Sequence, residues 1–177
     1  SHIENTELSV LEQGNSIPKI ANTNVLRVYR LAVPITYNVF SSWFFNNDID
    51  KAKTFWADTE TFLNEIYTRD LGVRFEIINN EKLISKSSGE EFFDSSKNAS
   101  YIINHSTQLI NDLIGKNNYD VGIVISHTSS NGIRGLAYIY GVYENYKGAA
   151  LARPTKNVIA HEIGHLWWKT YIQQSFI

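Results

Sequence analysis

Cysteine is absent from this 177-residue chain, so neither a disulfide framework nor thiol chemistry supports its fold or function. The absence leaves the compartment open, because secreted bacterial proteins also manage without disulfides. Methionine is missing as well, which is unusual in a chain of otherwise ordinary composition. No apolar run approaches the roughly 18 residues that a membrane span requires. Nor is there a block of like charge. The 16 basic and 18 acidic residues are scattered and give a net charge of -2, so no basic stripe asks for nucleic acid and no polybasic patch for a membrane surface. Protein or peptide partners are the remaining expectation, with the chain itself a monomer.

Hydrophobic residues make up 43% of the chain and aromatics 13%, enough for one domain with a single core. Residues 1–24 are polar and without sustained period, and read as an irregular leader that begins with a Ser1-His2 tag remnant and holds at most one short element around Leu8 to Leu11. Residues 25–177 read as the functional domain.

Within it, "VLRVYRLAV" from residue 25 is β-branched and alternating, which predicts a first strand ending near Pro34. Ile49, Ala52, Trp56, Thr59, Leu63 and Ile66 follow steps of three and four and predict a long helix, capped by Asn47 or Asp48 and stopped by Gly72. "VRFEII" predicts a second strand, and Ser-rich 85–98 a loop. Ala99 to Ile114 predicts a second helix with Ile102, Ser106, Leu109 and Leu113 on one face, ended by Gly115. The apolar "DVGIVIS" predicts a strand buried on both faces, and 135–152 holds two more short strands. A last helix begins near Thr155. Strands alternating with helices predict an α/β domain on a mostly parallel sheet, with an antiparallel edge in the 135–152 region.

That last helix contains "AHEIGHLW". Four residues apart on a helix, His161 and His165 share a face and can direct two imidazoles at one cation, with Glu162 on the adjoining side. Two imidazoles suit Zn2+, whose catalytic sites keep a position open for water, and Glu162 is placed to serve as general base. A packing helix needs no such triplet. Of the other histidines, His2 belongs to the tag remnant, His105 reads as a surface residue, and His127 reads as a strand-end residue bonded through backbone.

With these residues in place, the chain resembles the metzincin zinc endopeptidases, specifically their adamalysin (reprolysin) branch. The resemblance runs from Val25 to Trp167 through "YTRDLGVRFEI", "YDVGIVISHTSS", "GIRGLAYIYGVY", "KGAALARP" and "NVIAHEIGHL". It implies a metzincin-like domain with a twisted sheet, an active-site helix carrying HExxH, and an edge strand at Gly135, Leu136 and Ala137 that pairs with an extended substrate. The absence of cysteine distinguishes the chain from animal adamalysins and points to a secreted bacterial type.

The chain also departs from the family. The extended pattern HExxHxxGxxH asks for Gly at 168 and a third ligand at 171, where this chain has Trp168 and Tyr171. A Trp resists the backbone turn a Gly permits, and a phenol is a poor zinc ligand beside imidazole. No His, Asp or Glu follows His165, and the methionine turn of the family has no counterpart. Three accounts remain open. Residues are absent between Trp167 and Trp168 in an otherwise working zinc endopeptidase; or the chain is an inactive pseudoprotease of that fold; or it is a two-histidine metal- or peptide-binding module.

Overall fold

In the computed structural model, which describes residues 26–93, 96–127, 135–137, 147 and 150–174, and at 136 and 167–174 the backbone alone, the first β-branched stretch forms β1 (Arg27–Ala32). β2 (Val73–Ile77) runs parallel to it, Arg27 to Leu31 opposite Val73 to Ile77. On its other side β1 meets β3 (Val121–Gly122) at Leu31 and Ala32. β4 (Val124–Ile125) follows after one residue without a break in bonding, since Ile123 donates to the Ala32 carbonyl (2.9 Å) and Ile125 to that of Pro34 (2.8 Å). β4 pairs in parallel with β6 (Ala150–Ala152), and β5 (Gly135–Ala137) lies antiparallel to β6. The order is β2, β1, β3 with β4, β6, β5: a mostly parallel sheet with one antiparallel strand at the expected place.

Why this strand order holds is visible in burial. Leu31, Ala32 and Val33 are all fully buried, as are Val121 and Ile123 to Ile125, because parallel strands covered by helices have no solvent face. The outer half of β1, where β3 no longer pairs, exposes Arg27, Val28 and Arg30. Arg30 then finds a different partner, a two-pronged contact with Asp120 (Nε to Oδ2 3.0 Å, Nη2 to Oδ1 2.8 Å) that fixes the entry to β3.

Parallel strands require crossovers, and helices supply them. After a short α1 (Tyr37–Phe40), α2 (Ile49–Leu71) starts where Asp48 accepts from the Asp50 and Lys51 amides (2.8 and 3.3 Å) and ends at Gly72, whose φ of 62° is left-handed. Its inner face buries Ala52, Phe55, Trp56, Thr59, Leu63 and Tyr67. Trp56 donates its indole N–H to the Val33 carbonyl (3.0 Å), so its polar atom does not stay orphaned in the core. α3 (Ala99–Ile114) begins where Asn98 accepts from Tyr101 N–H (2.9 Å) and stops at Gly115.

The buried stripe of α3 is Ala99, Ile102, Ile103, Ser106 and Ile110, one step round from the face the spacing suggested. Leu109 and Leu113 are half-buried because they face a groove of about 670 Å³ shared with the two 3-10 turns Glu81–Leu83 and Ser88–Glu90. α1 follows Pro34, beyond the predicted end of the first strand, and has no counterpart in the sequence reading; Thr36 initiates it by giving its amide and hydroxyl to the Ile125 carbonyl (3.1 and 3.0 Å), a tertiary contact that local propensity does not contain. The leader at 1–24, with its Leu8 to Leu11 element, lies outside the described residues. Among the described residues, no helix is long and apolar enough to cross a membrane.

Candidate functional site

α4 (Lys156–Gln174) starts directly after Thr155, as the spacing predicted, and Thr155 O accepts from Ile159 N–H (3.0 Å). Ile159, Ile163 and Leu166 are fully buried, at a spacing that sets one stripe of the helix on the sheet, and α4 packs on β5 and β6. His161 and His165 lie nearly opposite that stripe. His161 is exposed and His165 half-buried, and their Nε2 atoms approach to 2.9 Å with the rings edge to face, 4.5 Å between centroids at 89°.

Two neutral imidazoles cannot present both Nε2 lone pairs to one another at 2.9 Å without repulsion. One ring therefore offers its Nε2–H to the lone pair of the other. Two nitrogens bound at about 2.0–2.1 Å in tetrahedral geometry stand about 3.3 Å apart. The observed spacing is a few tenths of an ångström shorter than that of two imidazoles on a common zinc ion. Glu162, between the two, is only 6% exposed, and its carboxylate lies beneath Gly135 of β5. The sequence-predicted catalytic and metal residues thus share the N-terminal half of α4, with the predicted strand Gly135–Ala137 beside Glu162.

The position of α4 is fixed from a residue that sequence reasoning missed. Tyr67, on α2, donates its hydroxyl to the Ala160 carbonyl (2.7 Å), one residue before His161. Burial raises its pKa well above the usual 10, so the group remains a donor. The ring stands edge-on to Phe75 of β2 at 5.4 Å, and Asn64 pins Phe75 by accepting from its N–H (2.7 Å) and donating to its carbonyl (2.9 Å). Gly164 leaves room for this contact, since a methyl there would lie 3.3 Å from the Tyr67 hydroxyl. No local signal announces it: Tyr67 and Ala160 are far apart in sequence, and the spacing rule selected Ile66, which is half-buried.

Of the remaining histidines, His2 lies outside the described residues and His105 is at the surface, as expected. The His105 ring is stacked on Tyr101 at 4.0 Å with Nδ1 2.8 Å from the Tyr101 carbonyl. His127 follows β4, and its carbonyl accepts from Asn38 Nδ2 (2.9 Å). Burial, and then nearby Arg153, hold its pKa below 6.5, favouring the neutral ring. Among the described residues no group of three or more His, Cys, Asp or Glu side chains could hold a metal, so neither adds a third ligand. Beyond His165 the helix is unbroken to Gln174, through positions 168 and 171 where the family pattern calls for a turn and a ligand.

The fold agrees with the comparisons. The family Reprolysin_3, described as metallo-peptidase family M12B, reprolysin-like, matches residues 56–167. A solved structure described as "Structure of a chaperone-substrate complex" superposes with a TM-score of 0.59 at 12% identity; the match covers 79% of this chain and 23% of that one, and at such identity it speaks to the fold alone. No curated protein matches the sequence. Because the family match takes in α2 from Trp56 onward, β2 to β6, and α4 through the histidine pair, more than half of the chain, the chain belongs to the reprolysin-like metallopeptidases.

Proposed function

We propose that the chain is a zinc-dependent endopeptidase in which His161 and His165 are metal ligands, Glu162 is the general base, and β5 aligns an extended peptide. The observation that carries this is the approach of the two Nε2 atoms to 2.9 Å beside a buried carboxylate. The donor set suits zinc: two imidazoles present nitrogen on one helix face, and the exposed side of His161 leaves access for solvent and substrate. Zinc bound there supplies Lewis-acid activation of water and of the scissile carbonyl.

The protein groups do the rest. Glu162 accepts a proton at its carboxylate as water adds to the peptide carbonyl, and returns it to the amine that leaves. β5, antiparallel to β6, offers the backbone groups of Gly135, Leu136 and Ala137 to a peptide that adds as a further strand. Tyr67 holds α4 at the depth where base and strand meet. The test is a zinc titration followed by calorimetry. Wild-type chain and Glu162→Ala should each bind one zinc, and His161→Ala with His165→Ala should bind none. Equal zinc uptake by the double variant would refute the assignment of the ligands.

A second reading is favoured by one observation, the uninterrupted course of α4 through Trp168. With no turn after His165, a third ligand from position 171 lies about 9 Å farther along the axis, at 1.5 Å per residue. On this reading the chain binds metal or peptide without cleaving it. It predicts zinc binding that weakens on dilution, because a solvent or partner ligand must complete the coordination, and no hydrolysis at any zinc concentration.

A further inference from the structure

Gly135 is one of only three residues in β5, and its backbone lies outside the left-handed region, so conformational freedom does not explain a glycine there. Space does. A methyl at position 135 would lie 2.6 Å from Cδ and 2.7 Å from Cγ of Glu162, and closer still to Oε1. Carbon atoms in contact rest about 3.5–4.0 Å apart, so the added group and the carboxylate cannot occupy their places together. Two residues on, and on the same face of the strand, Ala137 carries a methyl that packs against the core without conflict. The demand for a missing Cβ is confined to the residue above Glu162.

The helix has little room to retreat. Glu162 is buried, and the neighbouring Ile163 and Leu166 are fully buried, so α4 cannot roll away from β5 without opening the core. Tyr67 holds the same helix from the other side through Ala160. A side chain at 135 would therefore displace the Glu162 carboxylate rather than the helix.

We propose that Gly135 is a positioning residue: its missing side chain is the slot that seats the Glu162 carboxylate against the edge strand, so that base and substrate-aligning strand are set in one register. This rests on the proposed role of Glu162, but the slot itself can be tested without any activity. In a thermal-unfolding cycle on the full chain, Gly135→Ala should lower Tm by roughly 3–10 °C, as overpacking of a buried contact does in a domain of this size. In the Glu162→Ala background, where the slot is vacated, the same substitution should lower Tm by less than about 2 °C. If Gly135→Ala fails to fold, the double variant should recover folding.

Zinc-loaded enzyme gives the second readout. Gly135→Ala should lower kcat by about 100-fold, the scale of a 1 Å misplacement, with KM nearly unchanged. Adding Glu162→Asp, whose shorter arm withdraws from the methyl, should restore part of that loss. An equal Tm decrease in both backgrounds, or a double variant that still does not fold, would overturn the slot. A raised KM with kcat intact would instead make position 135 a substrate contact alone. Absence of hydrolysis in wild-type chain would count against the peptidase reading and leave the outcome of the thermal cycle standing.

Discussion

At the scale of single residues, the site depends on a few polar atoms whose partners lie on other elements. Replacing Tyr67 with Phe removes the hydroxyl that reaches Ala160 while keeping the ring on Phe75. A buried neutral hydrogen bond contributes about 1 kcal/mol net, so Tyr67→Phe should lower Tm by roughly 2–4 °C in a domain of this size. Differential scanning calorimetry checks this, and an unchanged Tm would mean the hydroxyl bears no part of the anchoring of α4. The histidine pair and Glu162 were legible in the sequence because their relation is local: i and i+4 meet on any helix. Tyr67 and the seat of Glu162 under Gly135 were not, since each joins residues brought together only by the finished sheet.

At the scale of elements, the sequence was most legible where side chains act on their own backbone. Asp48, Gly72 and Gly115 mark the helix ends in the structure as the sequence predicted, and Asn98 caps the start of α3. Asp48→Ala should cost about 1 kcal/mol by leaving the Asp50 and Lys51 amides without their acceptor. Gly72→Ala should cost about 1–2 kcal/mol, because a Cβ at φ 62° crowds the backbone. Urea-denaturation midpoints of the two variants test both, and a Gly72→Ala midpoint equal to wild type would show that the helix end can relax. α1 was hidden for the opposite reason: Thr36 bonds to Ile125, across the sheet, and residues 37–40 considered alone favour strand. The true face of α3 was offset for a similar cause, as the groove beside Leu109 and Leu113 is made by a separate segment.

Across the whole molecule, carboxylates join elements that the chain visits at different times. Glu81 reaches Lys53 of α2 (2.8 Å) and Lys86 beyond the first 3-10 turn (2.6 Å), and these ammonium groups hold its pKa at about 2 against a usual 4.5. Arg30 likewise lowers Asp120, chiefly through their hydrogen bonds. A folded-state pKa below the unfolded value means the contribution is complete above about pH 4.5 and is lost as pH falls toward 2. The unfolding midpoint should therefore fall over that window, and Glu81→Gln should flatten the fall, with the size of the effect limited by solvent screening at an exposed site. Parallel pH profiles for the two proteins would remove Glu81 from the account. The same layered arrangement, helices across a mostly parallel sheet with α4 arriving last, brings the histidine pair and the edge strand to one place.

The central claim is that this place performs peptide hydrolysis with Glu162 as base. It is tested most directly by the rate at which zinc-loaded chain and Glu162→Ala cleave a quenched fluorescent peptide mixture, at equal zinc occupancy. The account predicts measurable cleavage by the wild-type chain and a loss of roughly 10²–10⁴-fold in the variant, the range general acid–base catalysis contributes. Equal rates, or no cleavage by either protein with zinc bound, would contradict it.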